Sequence, residues 1–255
     1  MKIQRRQLIK GLAASFAGIA LSKYSFAGTQ THSSLAPALF QGGEPIVFNT
    51  GVGGNNTVDL LARIDTDCLA YQPELTILMA GTNDMNSVKY VPLDQYKANM
   101  IELINKIKAI GSKVLLMNIL PPYEPYLLTR HPAKFYEPEG VTGRRKQINE
   151  TIAEIARKQK VHLLDIGQRF DAVGRIGLDK SSLIQNEANT HKTDGLHPTA
   201  DGYRFISPAV YDYIVDHKLP TTNIVCFGDS ITKGDGTMDR DSYPAFLKRL
   251  LTTVA

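Results

Sequence analysis

The sequence predicts an α/β protein, a three-layer α/β/α sandwich around a mostly parallel sheet of five strands. Three observations carry this reading. From residue 45 onward short β-type runs alternate with helical patterns, the rhythm of a parallel sheet joined by crossover helices. Two of the runs, residues 75–80 (LTILMA) and 113–119 (KVLLMNI), are almost continuously apolar, as expected of strands covered on both faces. Three runs end in polar or glycine-rich turns. Such turns would gather at the carboxyl edge of the sheet, where open α/β sheets bind ligands.

Residues 45–49 (PIVFN) form the first expected strand. Residues 58–70 place Leu60, Leu61, Ile64 and Cys68 at helical spacing. Residues 75–80 are the second strand. Residues 92–110 read as a long amphipathic helix stopped by Gly111, since glycine commonly takes the left-handed position beyond a helix end. Residues 113–119 are the third strand. Residues 120–140 (LPPYEPYLLTRHPAKFYEPEG) break the rhythm with five prolines and four aromatics. They read equally well as an inert surface loop or as a wall or lid over a site. Residues 144–159 are helical, 161–165 extended and 199–217 helical. Residues 223–227 (NIVCF) supply the fifth strand and 243–251 a closing helix. No internal repeat or second domain is visible.

Residues 1–27 stand apart from this domain. Arg5 and Arg6 precede a modest apolar run, residues 11–21, and Ser25-Phe26-Ala27 gives the small-x-small pattern of a cleavage site. This predicts a twin-arginine-type secretory signal and a periplasmic or extracellular protein. A membrane anchor is the alternative, but the run is shorter than the ~20 residues a spanning helix needs and is diluted by Gly and Ser. Residues 28–43 would be a leader and 44–255 the domain. The formal charge of +4 belongs to the signal: five of the 29 basic side chains and none of the 25 acidic ones fall in residues 1–27, which leaves a net charge of −1. Nothing in that balance points to nucleic acid or an anionic membrane as a partner. Cys68 and Cys226 lie in apolar contexts and read as buried small hydrophobes, with a disulfide between them as the alternative in an exported chain.

The chemistry-bearing residues follow the strands. Residues 49–55 (NTGVGGN) follow the first, 81–84 (GTND) the second and 228–232 (GDSIT) the fifth. A fourth segment, 194–198 (DGLHP), precedes the helix at 199–217. A serine hydroxyl is a weak nucleophile that needs an adjacent base. Ser230 is the candidate nucleophile, and His197 the candidate base, with a reference pKa of ~6.5 suited to neutral pH. Asp194, three residues earlier in a Gly-Pro turn, can fold back onto the imidazole and fix its tautomer. The anionic oxygen of a tetrahedral intermediate needs preplaced donors. Ser230 N–H, Gly54 N–H and the Asn83 side-chain amide are the candidates, one such donor being worth roughly 3–4 kcal/mol. Each segment alone has a plainer reading. Gly-Asp-Ser is a common turn, Asn83 is a plausible helix cap, and Asp194, His197 and His191 are types that bind metals.

Together the four segments resemble those of the SGNH hydrolases, also called the GDSL esterase/lipase family, over about residues 44–252. The resemblance matches Ser230 to the nucleophile, Asp194 and His197 to the triad's acid and base, and Gly54 and Asn83 to the oxyanion donors. It implies a flavodoxin-like sheet and catalysis without a metal or organic cofactor. One departure is plain. The family's serine segment comes first and here it comes last, so the sequence resembles a circularly permuted SGNH fold joined through residues 218–222 (KLPTT). The resemblance implies a serine esterase acting on short acyl esters, acetyl esters of carbohydrate foremost. A lysophospholipase, an acyltransferase to a sugar or wall polymer, and a non-catalytic binding module are the other readings.

Overall fold

The computed structural model describes residues 45–235 and 240–254. The expected signal, residues 1–27, and leader, residues 28–43, lie outside the described residues. Five strands form one sheet: β1 (Ile46–Gly51), β2 (Leu75–Met79), β3 (Lys113–Met117), β4 (His162–Leu164) and β5 (Asn223–Gly228). Their order is β1-β5-β2-β3-β4, and all four pairings are parallel. Counted from β5, that order reads 2-1-3-4-5, the doubly wound order of flavodoxin-type sheets. The last strand in sequence is therefore central in space. Phe48 of β1 and Leu78 of β2 both register against β5, at Val225 and Phe227.

Helices cover both faces. On one lie α1 (Thr57–Asp67), α2 (Leu93–Ala109) and α4 (Gly140–Gln159), the last preceded by the single turn α3 (Glu124–Leu127). On the other lie α5 (Ile166–Val173), the short α6 (Glu187–Thr190), α7 (Ala200–Asp216), the short α8 (Ser230–Lys233) and α9 (Tyr243–Val254). The period of two along a strand divides the core. Val225 and Phe227 of β5 pack with Leu60, Ile64 and Leu103, whereas Ile224 and Cys226 pack with Ile206, Val210 and Leu247. Burying each such side chain contributes roughly 1.5–3 kcal/mol. Cys68 belongs to the first layer and Cys226 to the second, and both thiols are buried and free. The disulfide alternative is thereby set aside.

The observed elements depart from the expected ones chiefly in three places, besides the short α6. The helix read as 144–159 begins at Gly140, where buried Val141 adds a turn to its apolar face. Residues 166–173 form an unexpected helix, capped by the Asp165 carboxylate on the Gln168 N–H and closed by Gly174 at φ +66°. The 120–140 stretch is partly ordered into α3 and a 3-10 turn at Ala133–Tyr136, anchored by buried Leu127 and Tyr136.

Candidate active site

Ser230 occupies the first turn after the central strand. β5 ends at Gly228, the Asp229 carboxylate caps α8 by accepting from the Ile231 N–H at 2.9 Å, and Ser230 is the first helical residue. Its N–H is one of the first-turn donors a helix cannot satisfy internally. The turn has no room for a side chain at Gly228, where a Cβ would lie 2.3 Å from Thr232 Oγ1 and 2.5 Å from the Met79 carbonyl.

His197 and Asp194 arrive from the turn between α6 and α7. Gly195 adopts φ +67°, which brings the Asp194 side chain back over the following residues. The Asp194 Oδ1 accepts from the Leu196 N–H at 2.8 Å and the His197 N–H at 2.6 Å. Gln185 holds the turn from outside. It accepts from the Gly195 N–H at 2.9 Å, donates its own N–H to the His197 carbonyl at 2.9 Å, and donates its side-chain amide to the Pro198 carbonyl at 3.0 Å.

These turns bring the three side chains into one line. Ser230 Oγ lies 2.9 Å from His197 Nε2, and His197 Nδ1 lies 2.9 Å from Asp194 Oδ2. Burial alone would raise the Asp194 carboxyl. The His197 hydrogen bond and charge, with the two backbone N–H donors, outweigh it and hold the group well below the usual carboxylate range. Asp194 is thus ionised at neutral pH and faces the imidazole nitrogen remote from the serine. His191 caps α6 at φ +59°, and among the described residues no group of three His, Cys, Asp or Glu side chains is arranged to hold a metal.

The other two turns close around the serine. Gly53 faces it, a Cβ there lying 3.9 Å from Ser230 Cβ. Gly54 follows at φ +76° with open space beside it. Asn83, at the end of β2, donates its side-chain amide to the Asn55 carbonyl at 2.9 Å and approaches Asp229 Oδ2 at 3.5 Å. Its carbonyl oxygen accepts from Asn86 at 3.2 Å. Asn83 is therefore fixed against the glycine-rich loop by its own first proton.

Three residues that hold this arrangement were not among the site residues expected from sequence. Arg63 on α1 donates to the Thr50 carbonyl and the Gly228 carbonyl, both at 2.8 Å, and to Asn55 Oδ1 at 2.6 Å, with its guanidinium 4.5 Å from the Phe227 ring centroid. It ties the ends of β1 and β5 to the glycine loop. Asp84, wholly buried, accepts from the Thr57 N–H at 2.9 Å and the Thr57 hydroxyl at 2.5 Å. That clamps the start of α1 to the Asn83 loop. Arg130 donates to the Asp194 carbonyl at 2.5 Å. In sequence each is an ordinary charged residue, and its partner lies 13 to 165 positions away for Arg63, 27 for Asp84 and 64 for Arg130, except for the nearer Asn55.

A cavity of about 350 Å³ opens over the serine. It is lined by Gly53, Gln185, Lys192, Asp194, His197, Ser230, Lys233, Gly234 and Asp235. Lys192 pairs with Asp235 at 3.1 Å, and Gln185 donates to the same carboxylate at 2.9 Å. Among the described residues no large aliphatic or aromatic side chain lines it. The arrangement offers a hydroxyl, a base in contact with it, an acid behind the base, and amide donors at the helix start.

A family model described as the GDSL-like Lipase/Acylhydrolase family matches residues 17–205. The chain is 28% identical over 180 residues to the uncharacterized lipoprotein YqeF of Bacillus subtilis (strain 168), covering 65% of this chain and 72% of that protein. It is 33% identical over 79 residues to an acetylxylan esterase of Geobacillus stearothermophilus, covering 28% of this chain and 36% of that one. A solved structure from Bacteroides fragilis shares the fold at 21% identity, with a TM-score of 0.51, covering 66% of this chain and 73% of the other.

Proposed function

The chain belongs to the GDSL-like lipase/acylhydrolase family, and from that premise, a carboxylic ester hydrolase, we propose that it removes short acyl groups, acetyl foremost, from a carbohydrate alcohol through an acyl-enzyme on Ser230. The observation that carries the reading is the hydrogen-bonded line from Ser230 Oγ through His197 to Asp194, each step 2.9 Å. In the proposed cycle His197 takes the hydroxyl proton as Ser230 Oγ bonds to the ester carbonyl carbon. The carbonyl oxygen becomes an oxyanion, held by the Ser230 and Gly54 N–H groups and by the Asn83 side-chain amide, which gives up its long 3.5 Å contact with Asp229 to reach it. His197 then protonates the departing alcohol as the acyl–oxygen bond breaks. A water, deprotonated by the same imidazole, attacks the acyl-serine and restores the free hydroxyl. Asp194 keeps the imidazole in the tautomer that accepts at Nε2.

The cavity supports the substrate reading. Its polar lining of Gln185, Lys192 and Asp235 suits a small acyl group and a polyhydroxylated alcohol, and gives a long alkyl chain little apolar surface to bury. The acetylxylan esterase relative points the same way. The test is a series of aryl esters from acetyl to long-chain, with acetylated xylan alongside and Ser230→Ala as control. Turnover should be greatest on acetyl, acetate should be released from xylan, and the alanine variant should lose at least about 10³-fold in kcat. A long-chain optimum would sink the carbohydrate reading, and an unaffected alanine variant would sink the serine mechanism.

Two further parts of the reading concern the chain as a whole. Residues 1–27 act as a twin-arginine signal that exports the protein, in keeping with a lipoprotein among its relatives. Replacing Arg5 and Arg6 by Lys should then retain a fused reporter in the cytoplasm. The reading also makes the chain a circular permutant: the family match ends at residue 205, with Gly228-Asp229-Ser230 beyond it, which is in keeping with a serine segment moved to the other end.

A further inference from the structure

Among the described residues the 120–140 stretch contributes nothing to the lining of the cavity over Ser230. It lies instead behind the turn that carries Asp194. The Tyr123 N–H donates to the Gly195 carbonyl at 2.7 Å. A Cβ on Gly195 would lie 2.7 Å from Tyr126 Cβ and 2.9 Å from the Tyr123 carbonyl, so the two backbones touch. Arg130 reaches the same turn, donating from Nη2 to the Asp194 carbonyl at 2.5 Å with Nη1 3.7 Å from Asp194 Oδ2. The next residue, His131, meets Ser87 Oγ through Nδ1 at 2.8 Å, four positions beyond Asn83. One segment thus braces the Asp194 turn and the Asn83 loop together. Buried Leu127 and Tyr136 anchor it on either side of Arg130.

We propose that Arg130 is a positioning residue that sets Asp194 against His197 from behind the site. The inference rests on the Ser230–His197–Asp194 reading above. Asp194 has two tasks, to keep its carboxylate ionised and to aim it at Nδ1. The guanidinium serves both. Its bond to the Asp194 carbonyl stops the Gly195 turn from rocking, and its positive charge favours the carboxylate anion. Arg130 does not itself line the cavity and reaches it only through Asp194, so its removal should leave substrate binding intact and slow the steps in which His197 carries a proton. A displacement of about 1 Å in such a group costs up to about 10²-fold in rate.

The experiment compares kcat and KM on an aryl acetate for the wild type, Arg130→Ala, Asp194→Asn and the double variant. Arg130→Ala should lower kcat by about 10-fold or more with KM within about 2-fold, and added guanidinium ion at millimolar concentration should restore part of the loss, because the side chain is 39% exposed and leaves an open slot. In the Asp194→Asn background the same change should cost less than about 2-fold, since Arg130 acts through that carboxylate. Wild-type kcat in Arg130→Ala, a loss confined to KM, or an equal loss in the Asp194→Asn background would each overturn the proposal. Arg130→Met, which keeps the packed stem, replaces the alanine variant if that one does not fold. A wild type inactive on aryl acetates would overturn the esterase reading itself, and this proposal with it.

Discussion

Asp84 and Asp229 lie buried beneath the serine, and both are pushed up to about 6, first by burial and in part by unfavourable neighbouring charge. For Asp84 the two bonds from Thr57 oppose the rise, and its Oδ2 has no hydrogen-bond partner among the described residues. The unfolded value is near 3.8, so each contributes stability that is full below that pH and lost as pH rises through about 6. Asp194 has the opposite sign: its depressed folded value contributes stability above pH 3.8 that is lost as pH falls toward its own titration. The contribution of these two carboxyls to the melting temperature should therefore decline between pH 3.8 and about pH 6. Asp84→Asn keeps an acceptor for Thr57 but cannot ionise, so its melting temperature should decline less over the same interval, whatever constant offset the amide adds. Equal slopes for the two proteins would show that Asp84 is not the source. At this scale the sequence marks Ser230, His197, Asp194, Gly54 and Asn83 as candidates because each sits in a short segment whose chemistry is local, and the structure brings Ser230, His197 and Asp194 into hydrogen-bond contact. It hid Arg63, Arg130 and the Asp84–Thr57 clamp because their partners are set by tertiary approach across tens of residues or more.

The elements position the site by close backbone contact, and the glycines at their ends test how close. Gly51 ends β1, and a Cβ there would lie 2.1 Å from the Lys233 N and 2.7 Å from its Cα, so the strand end rests on the last residue of α8. Gly54, three residues on, has φ +76° and nothing within 4 Å of a Cβ. Gly54→Ala should cost only the left-handed backbone conformation, about 1 kcal/mol. Gly51→Ala must push the β1 end and the Ser230 helix apart, at about 3 kcal/mol or more. The Gly51 variant should melt several degrees below the Gly54 variant and lose more kcat; the reverse order would mean that β1 does not seat α8. The same local rules explain what could be read in advance. The strands at 75–80 and 113–119 were plain because both faces are apolar, and the helix at 92–110 because its stripe is long and Gly111 closes it. α5 escaped notice because two turns give little periodicity, although Asp165, Ile166, Phe170 and Gly174 form a capped pattern. The order within 120–140 was unreadable because it depends on what the segment leans against, the Asp194 turn and the Asn83 loop.

For the whole molecule, the proposed permutation makes a claim about which chain connections the fold requires. β5 lies between β1 and β2 and is wholly buried, so its contacts, not its place in the sequence, decide where Ser230 stands. Recutting the chain should then preserve both fold and site. A variant opened between Lys218 and Asn223, with residue 254 joined to residue 45 through a flexible linker of about 15 residues, would begin with the Ser230 segment. Such a linker spans about 20 Å on average, and each doubling of its length costs only about 0.6 kcal/mol of closure entropy. The cost of cutting is confined to a short turn in which Lys218 already sits at φ +51° and the Ile46 N–H bonds to the Thr222 carbonyl at 2.7 Å. The recut protein should keep kcat on an aryl acetate within about 3-fold and fold cooperatively, with a modestly lower melting temperature from the lost Thr222 bond and the longer closure. A recut chain that folds stably but loses turnover would mean that the 218–222 connection positions β5 at the site. One that fails to fold at several linker lengths would mean that β5 needs its late place in the chain to enter the sheet, and the permutation reading would fall.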